Sequence, residues 1–226
     1  MNGGADLSRW QGAPLPQRVV LDGHYARLEP FEGARHGSDL LQTALGPGAE
    51  DRFRYLPDTP PTSVAAFQDW LTASSVSTDP LFFTVIDKAT GLAGGRQALM
   101  HIVPAHGTIE FGHVLWGPAI ARSRVATEAL YLSAQYVFEE LGYRRFEWKC
   151  NTLNEPSRRA ALRFGFRFEG IFRHHMVVKD QSRDTAWFAM TDSDWPAIQA
   201  GFLAWLAPEN FDTAGQQKSP LAVTAR

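Results

Sequence analysis

Apolar residues along this chain recur at two spacings, and the switches between them divide it into elements. Period-two alternation and short unbroken apolar runs mark strands. They occupy Arg18 to Leu21 and His24 to Phe31 around an Asp22-Gly23 turn, then Leu81 to Asp87, Ala93 to Val103 and Thr108 to Trp116. Arg145 to Asn151 is a further strand, and Arg167 to Val178 with Asp184 to Met190 form a hairpin-like pair. Helical spacing appears from Gly33 to Leu45, where Leu40, Leu41 and Ala44 share a side, and again from Thr62, where Val64, Phe67, Trp70 and Leu71 recur. The longest helix runs from Arg124 to Leu141 on Val125, Ala129, Leu132 and Tyr136, with Gly142 in the C′ position. Asn154 caps a short helix that has Pro156 in its first turn and Gly165 just past its end. Trp195 to Leu206 is a closing helix.

Interleaved helices and strands, followed by strands, predict an α/β fold with a mixed sheet and helices on both faces. One domain spans 18–207. Residues 1–17 form an arm packed at Trp10, and residues 208–226, which have lost periodicity, form a mobile tail.

Composition narrows the function. The net charge is -2, whereas grip on a nucleic-acid backbone calls for a basic excess. The lone cysteine, Cys150, allows no internal disulfide and reads as a buried structural thiol. No apolar run reaches the roughly 18 residues of a membrane span, and the N-terminus has no secretory pattern. The expectation is a cytoplasmic protein with no membrane and no nucleic-acid partner. His174 and His175 adjoin on a strand and face opposite ways, so no metal site is expected.

The informative stretch is Thr108 to Gly170. A strand that feeds directly into a helix N-terminus leaves free N–H groups and a helix dipole converging on one point, which suits an anion. Here the connection is Gly117-Pro118-Ala119-Ile120-Ala121-Arg122-Ser123-Arg124-Val125-Ala126-Thr127-Glu128, with two arginines beside the amides. After the long helix and the next strand comes Asn154, then Ser157 three residues on, then Gly165-Phe166 eleven and twelve residues on. Together these segments resemble the GNAT superfamily of N-acyltransferases, and within it the RimJ/RimL-type branch.

That resemblance implies a single domain with a splayed central mixed sheet. It implies acetyl-CoA as co-substrate, held between the strands Thr108–Trp116 and Arg145–Asn151, and a primary amine as acceptor. The amine attacks the thioester directly, with no covalent enzyme intermediate and no metal. The pantetheine arm pairs with Val114, Leu115 and Trp116, and the pyrophosphate sits at Arg122, Ser123, Arg124, Val125, Ala126 and Thr127. Asn154 touches the pantetheine and Ser157 protonates the departing thiolate. Glu110 is the first choice of base and His113 the second. Strict alternation puts the two on opposite faces, so only one would meet substrate. Arg158, Arg159 and Arg163 could meet the 3′-phosphate, against a reading as a solvated helix face. Loops around 46–62 and 171–184 set the acceptor, and a homodimer is left open.

The phosphate loop departs from the family pattern: Ala121 stands where a polar residue is usual, and Arg124 stands at the first glycine. The alternative reading is therefore a non-catalytic acyl-CoA-binding module with a drifted phosphate loop.

Overall fold

The computed structural model describes residues 6–223. Eight strands form one sheet: β1 (Leu21–Asp22), β2 (Ala26–Pro30), β3 (Leu81–Asp87), β4 (Ala93–Val103), β5 (Thr108–Trp116), β6 (Arg145–Asn151), β7 (Arg167–Val178) and β8 (Gln181–Thr191). Their order is β1-β2-β3-β4-β5-β6-β8-β7. Every neighbouring pair is antiparallel except β5 and β6, which run parallel.

Six α-helices cover the sheet: α1 (Gly33–Leu45), α2 (Ala49–Phe53), α3 (Val64–Val76), α4 (Arg124–Gln135), α5 (Glu155–Arg163) and α6 (Trp195–Leu206). Alternation along the strands divides the core into two layers. Phe83, Val85, Ile109, Phe111, Phe146 and Phe188 meet Ala129, Leu130, Phe164 and Phe202 on the side of α4 to α6. Phe82, Ala98 and Leu115 meet Leu40, Phe67 and Leu71 on the side of α1 and α3.

Three elements differ from the sequence reading. The first hairpin is cut to two residues on β1: ahead of them Val19 N bonds back to the Gln17 carbonyl at 3.0 Å and the Arg18 side chain reaches the carbonyls of Ser77 and Phe31. The buried Glu128 carboxylate accepts from the N–H groups of His24, Tyr25 and Ala26 at 2.9, 2.6 and 2.6 Å. A Cβ on Gly23 would stand 2.5 Å from that carboxyl carbon, so only glycine fits the approach. The stretch 46–62, read as a loop, contains α2. The stretch 171–184 is largely paired strand, closed by a tight turn at Lys179-Asp180 with φ of 51° and 59°.

The long helix ends as a π turn over Tyr136–Glu140, and Gly142 follows at φ 66°, the left-handed C′ residue its position implied. At the N-terminus, Trp10 donates to the Ala105 carbonyl at 2.8 Å, and residues 1–5 lie outside the described residues. Residues 208–223, expected as a mobile tail, make specific contacts: Phe211 is buried, Gln217 accepts from Trp205 Nε1 at 2.9 Å, and Leu221 and Val223 pack on the core. Residues 224–226 lie outside the described residues. No helix among the described residues is long and apolar enough to cross a membrane, and no group of three potential metal-ligating side chains occurs among them.

Candidate active site

The parallel pair at the centre of the sheet is incomplete. Residues Thr108, Ile109, Glu110 and Phe111 pair with Arg145, Phe146, Glu147 and Trp148, and the pairing stops there. Both strands continue, β5 to Trp116 and β6 to Asn151, without meeting. On its other side β5 carries a bulge: Gly112 pairs with Ala98 and Leu115 with Arg96, so His113 and Val114 together oppose Gln97. The extra residue bends and twists the strand away from β6. His113 sits at the bend with φ 49°, an uncommon conformation for a residue with a Cβ.

The gap opens into a cleft of about 800 Å³. Its walls come from Glu110 to Val114 on β5, Trp148 to Asn151 on β6, the start of α5, the end of α2 with the segment that follows it to Pro57, and the β7–β8 hairpin.

The bulge corrects the expected opposition of Glu110 and His113. Glu110 lies on the α1–α3 face, and the extra residue rotates His113 to the same face, where its ring packs on Phe82 at 5.3 Å. Both line the cleft. The His113 Nδ1 is buried without a hydrogen-bond partner. Burial, with the nearby Arg96 guanidinium, holds its pKa below the usual imidazole range, so the ring is neutral at pH 7.

The Glu110 carboxylate is 5% exposed, accepting from Lys149 Nζ at 2.8 Å and meeting His101 Nδ1 at 2.6 Å. Lys149 also meets Glu147 at 2.7 Å. The Glu110 bond lifts the His101 pKa above its ordinary value, and the ring is largely solvent-facing. His101, which the sequence reading did not single out, thus connects the buried carboxylate to water. It too has a positive φ, 47°, at a second irregularity in the β4–β5 ladder.

Across the cleft, Asn154 Oδ1 caps α5 by accepting from Ser157 N at 3.2 Å. Ser157 Oγ accepts from Trp148 Nε1 at 2.9 Å, which fixes the hydroxyl at the wall. Cys150 lies beside it, and burial pushes its thiol up in pKa, consistent with a structural cysteine.

Val114 lines the cleft, whereas the Leu115 side chain is buried under α1 and α3, and Trp116 donates from Nε1 to Gln97 Oε1 at 3.1 Å. The run from Arg122 to Thr127 lies outside the enclosed cleft, at the N-terminus of α4. Ser123 Oγ accepts from the amides of Val125 and Ala126 at 3.1 and 3.5 Å, and Arg122 takes φ 61°. Arg124 is laid over the rings of Tyr25 and Phe211, at 4.4 and 5.3 Å from their centroids. The cation beside the helix start is instead Arg163 of α5, half-buried, donating to Thr127 Oγ1 at 3.3 Å. Arg158 and Arg159 both pair with Glu155; Arg159 is exposed, whereas the Arg158 Nε is buried without a hydrogen-bond partner.

The family model described as the acetyltransferase (GNAT) domain matches residues 37–167. A GCN5-related N-acetyltransferase from Brucella melitensis is 57% identical, covers 95% of this chain and 97% of its own, and superposes with a TM-score of 0.93. A GNAT-family protein from Chromobacterium violaceum ATCC 12472 is 38% identical, with 87% and 98% covered and a TM-score of 0.80. RimL, the ribosomal L7/L12 alpha-N-protein acetyltransferase, shares the fold at 17% identity, with 76% and 94% covered and a TM-score of 0.66. No curated protein matches. With more than half its length inside the family model and a parallel strand pair that splays at the cleft, the chain belongs to the GNAT acetyltransferase family.

Proposed function

We propose that this protein transfers an acetyl group from acetyl-CoA to a primary amine in the RimJ/RimL manner, with Glu110 as base and Ser157 opposite. The observation that carries this reading is the cleft itself. It lies where β5 and β6 stop pairing, with an acid on one wall and a hydroxyl on the other. Beyond Phe111 the edge of β5 is released from β6, so its free N–H and C=O groups can meet the amide-bearing arm of CoA and one N–H can face the carbonyl oxygen of the thioester.

Chemically, the amine nitrogen attacks the thioester carbon and the carbonyl oxygen becomes an oxyanion. The amine proton passes through water to Glu110, and His101 carries it to solvent. Collapse of the tetrahedral intermediate breaks the carbon–sulfur bond. The Ser157 hydroxyl, whose oxygen is already held by Trp148, donates to the departing thiolate. His113 is neutral and its buried Nδ1 has no hydrogen-bond partner, which makes it the second candidate for the base.

The non-catalytic alternative draws on Arg124, which is spent on aromatic packing instead of the helix start. Calorimetry with acetyl-CoA and free CoA, followed by thiol release with a panel of amines, separates the readings. Micromolar binding with turnover is expected. Binding without turnover supports the module, and no binding at millimolar ligand ends both.

A further inference from the structure

Among the described residues, one cation of the cleft has no hydrogen-bonded or ion-paired partner. Four basic side chains of fixed charge line it: Arg52, Arg54, Lys149 and Arg183. Arg52 donates to the carbonyls of Thr43, Gly46 and Pro47, and Arg54 pairs with Asp51. Lys149 is held between Glu110 and Glu147. Arg183 has no carboxylate or carbonyl partner among the described residues. Its Nε is buried without an acceptor, and burial pulls its pKa below the usual guanidinium value.

A second donor on the same strand is also unused. Trp187 Nε1 is buried with no acceptor, while the Trp187 ring stacks against Phe172 at 4.5 Å and lies 4.1 Å beneath Lys149 Nζ. Arg183 and Trp187 are four residues apart on β8, so they share a face, the one that Lys149 and Glu110 occupy. The guanidinium is close enough to Glu110 for their charges to interact. This face therefore offers the acid, an indole N–H without an acceptor at the level of Lys149, and a guanidinium four residues further along β8.

A half-buried guanidinium whose Nε has no acceptor is costly unless a ligand anion meets it. On the acetyl-CoA reading, the thioester end that enters the cleft is uncharged, and the phosphates belong at the far end toward α4. The anion must then come with the acceptor. Resting on the proposed acetyl transfer, we infer that the acceptor is an amine that also bears a carboxylate, which Arg183 binds while the amine faces Glu110. A guanidinium edge and a carboxylate match in plane and spacing, which gives the pair orientation as well as charge.

The test compares acceptors in pairs, each free acid against its amide: the α-amino acids, β-alanine and 4-aminobutyrate, read by thiol release from acetyl-CoA. Native protein and the Arg183→Gln and Arg183→Lys variants are assayed together, with melting temperatures to confirm folding and calorimetry to measure acetyl-CoA binding. The lower amine pKa of an amide cancels in the native-to-variant ratio. Arg183→Gln is expected to lower kcat/KM for the preferred acid by about 10- to 100-fold, chiefly through KM, and to change the amide by less than about 3-fold. Arg183→Lys should recover part of the loss.

Four results would overturn the inference: equal losses on acid and amide, which would assign the guanidinium to the developing oxyanion; weakened acetyl-CoA binding, which would assign it to CoA; a Gln variant unchanged on every acid; or no acid turned over by a native protein that binds acetyl-CoA. Failure of the native protein to bind acetyl-CoA at all would instead remove the acetyl-transfer reading on which the inference stands.

Discussion

Replacing Glu110 with glutamine is the sharpest perturbation of the proposed chemistry, because the surroundings leave little else to change. Glutamine keeps the shape of a side chain that is 5% exposed, and its amide oxygen can still accept from Lys149. Lys149 is not left unpaired, since Glu147 remains at 2.7 Å. The cost in stability is then one charge-assisted contact, about 1–2 kcal/mol, or a few degrees in Tm for a chain of this size. The cost in rate is larger. Loss of a positioned base lowers kcat by about 10²- to 10⁴-fold, equivalent to about 3–5 kcal/mol. The KM for acetyl-CoA should hold, since the carboxylate faces the acceptor side.

The assay is thiol release at saturating acetyl-CoA across neutral to alkaline pH. Proton NMR of His101 reports on the same site, because its raised pKa comes first from the Glu110 hydrogen bond and should fall back in the variant. The sign follows: a folded-state pKa above the unfolded one gives stability that is full below about pH 6.5 and is lost as pH rises through the folded value. Glutamine removes that dependence. A variant with kcat within about 3-fold of native and the same pH profile, despite a shifted His101, would mean that the carboxylate holds the imidazole but does not take the amine proton.

Three further substitutions test other parts of the site. Arg124→Ala should leave the acetyl-CoA Kd within about 3-fold while lowering Tm by about 3 °C, because its guanidinium stacks on Tyr25 and Phe211; a tenfold loss of affinity would return it to the pyrophosphate. Ser157→Ala should lower kcat by about 10- to 100-fold with KM nearly unchanged, and should cost about 1–2 kcal/mol by stranding Trp148 Nε1, measured by denaturant unfolding. His113 titrates in the opposite sense to His101. Its folded pKa is depressed, so the native protein should lose stability as pH falls below about 6.5, and His113→Gln should flatten that slope in Tm measured from about pH 5 to 7.5.

Local pattern reaches far in this chain where an element's ends are set by its own residues. The strands Leu81–Asp87, Ala93–Val103, Thr108–Trp116 and Arg145–Asn151 and the helices Gly33–Leu45 and Trp195–Leu206 stop where periodicity stops. Asn154 caps α5 with its own side chain, and Gly142 ends the long helix with its own backbone. What pattern misses is decided across the fold. The turn of the first hairpin is held by a carboxylate about a hundred residues away. Arg124 reads as a phosphate ligand until Phe211, from the end of the chain, supplies a ring to cover. His101 and Glu110 are nine residues apart on adjacent strands, and only the irregular ladder between β4 and β5 brings them together. The family resemblance pointed to Glu110, His113, Val114, Asn154 and Ser157, which the cleft does bring together. No spacing rule could have shown that Arg183 and Trp187 would be left without partners beside them.

The bulge and the split strands belong to one piece of geometry. A parallel pair that simply ended would close under the twist of the sheet, so something must keep its walls apart. Below the gap, on the α4–α6 face, Trp148 packs against Phe111, Phe164 and Phe166 with centroids 5.4, 6.1 and 5.6 Å away. This aromatic wedge, with Phe164 at the end of α5, packs beneath the point where pairing stops. Above the gap, the extra residue at His113 and Val114 turns β5 outward while keeping it bonded to β4 through Leu115 and Trp116. Trp148 is thus the last paired residue of the central ladder, the wedge beneath the cleft and, through Nε1, the partner that holds the Ser157 hydroxyl at its wall. The packing that opens the cleft also places one of the groups proposed to act in it. Loss of the indole would therefore disturb the gap, the core and the hydroxyl together, which is why the chemistry is better separated through Ser157 and Glu110.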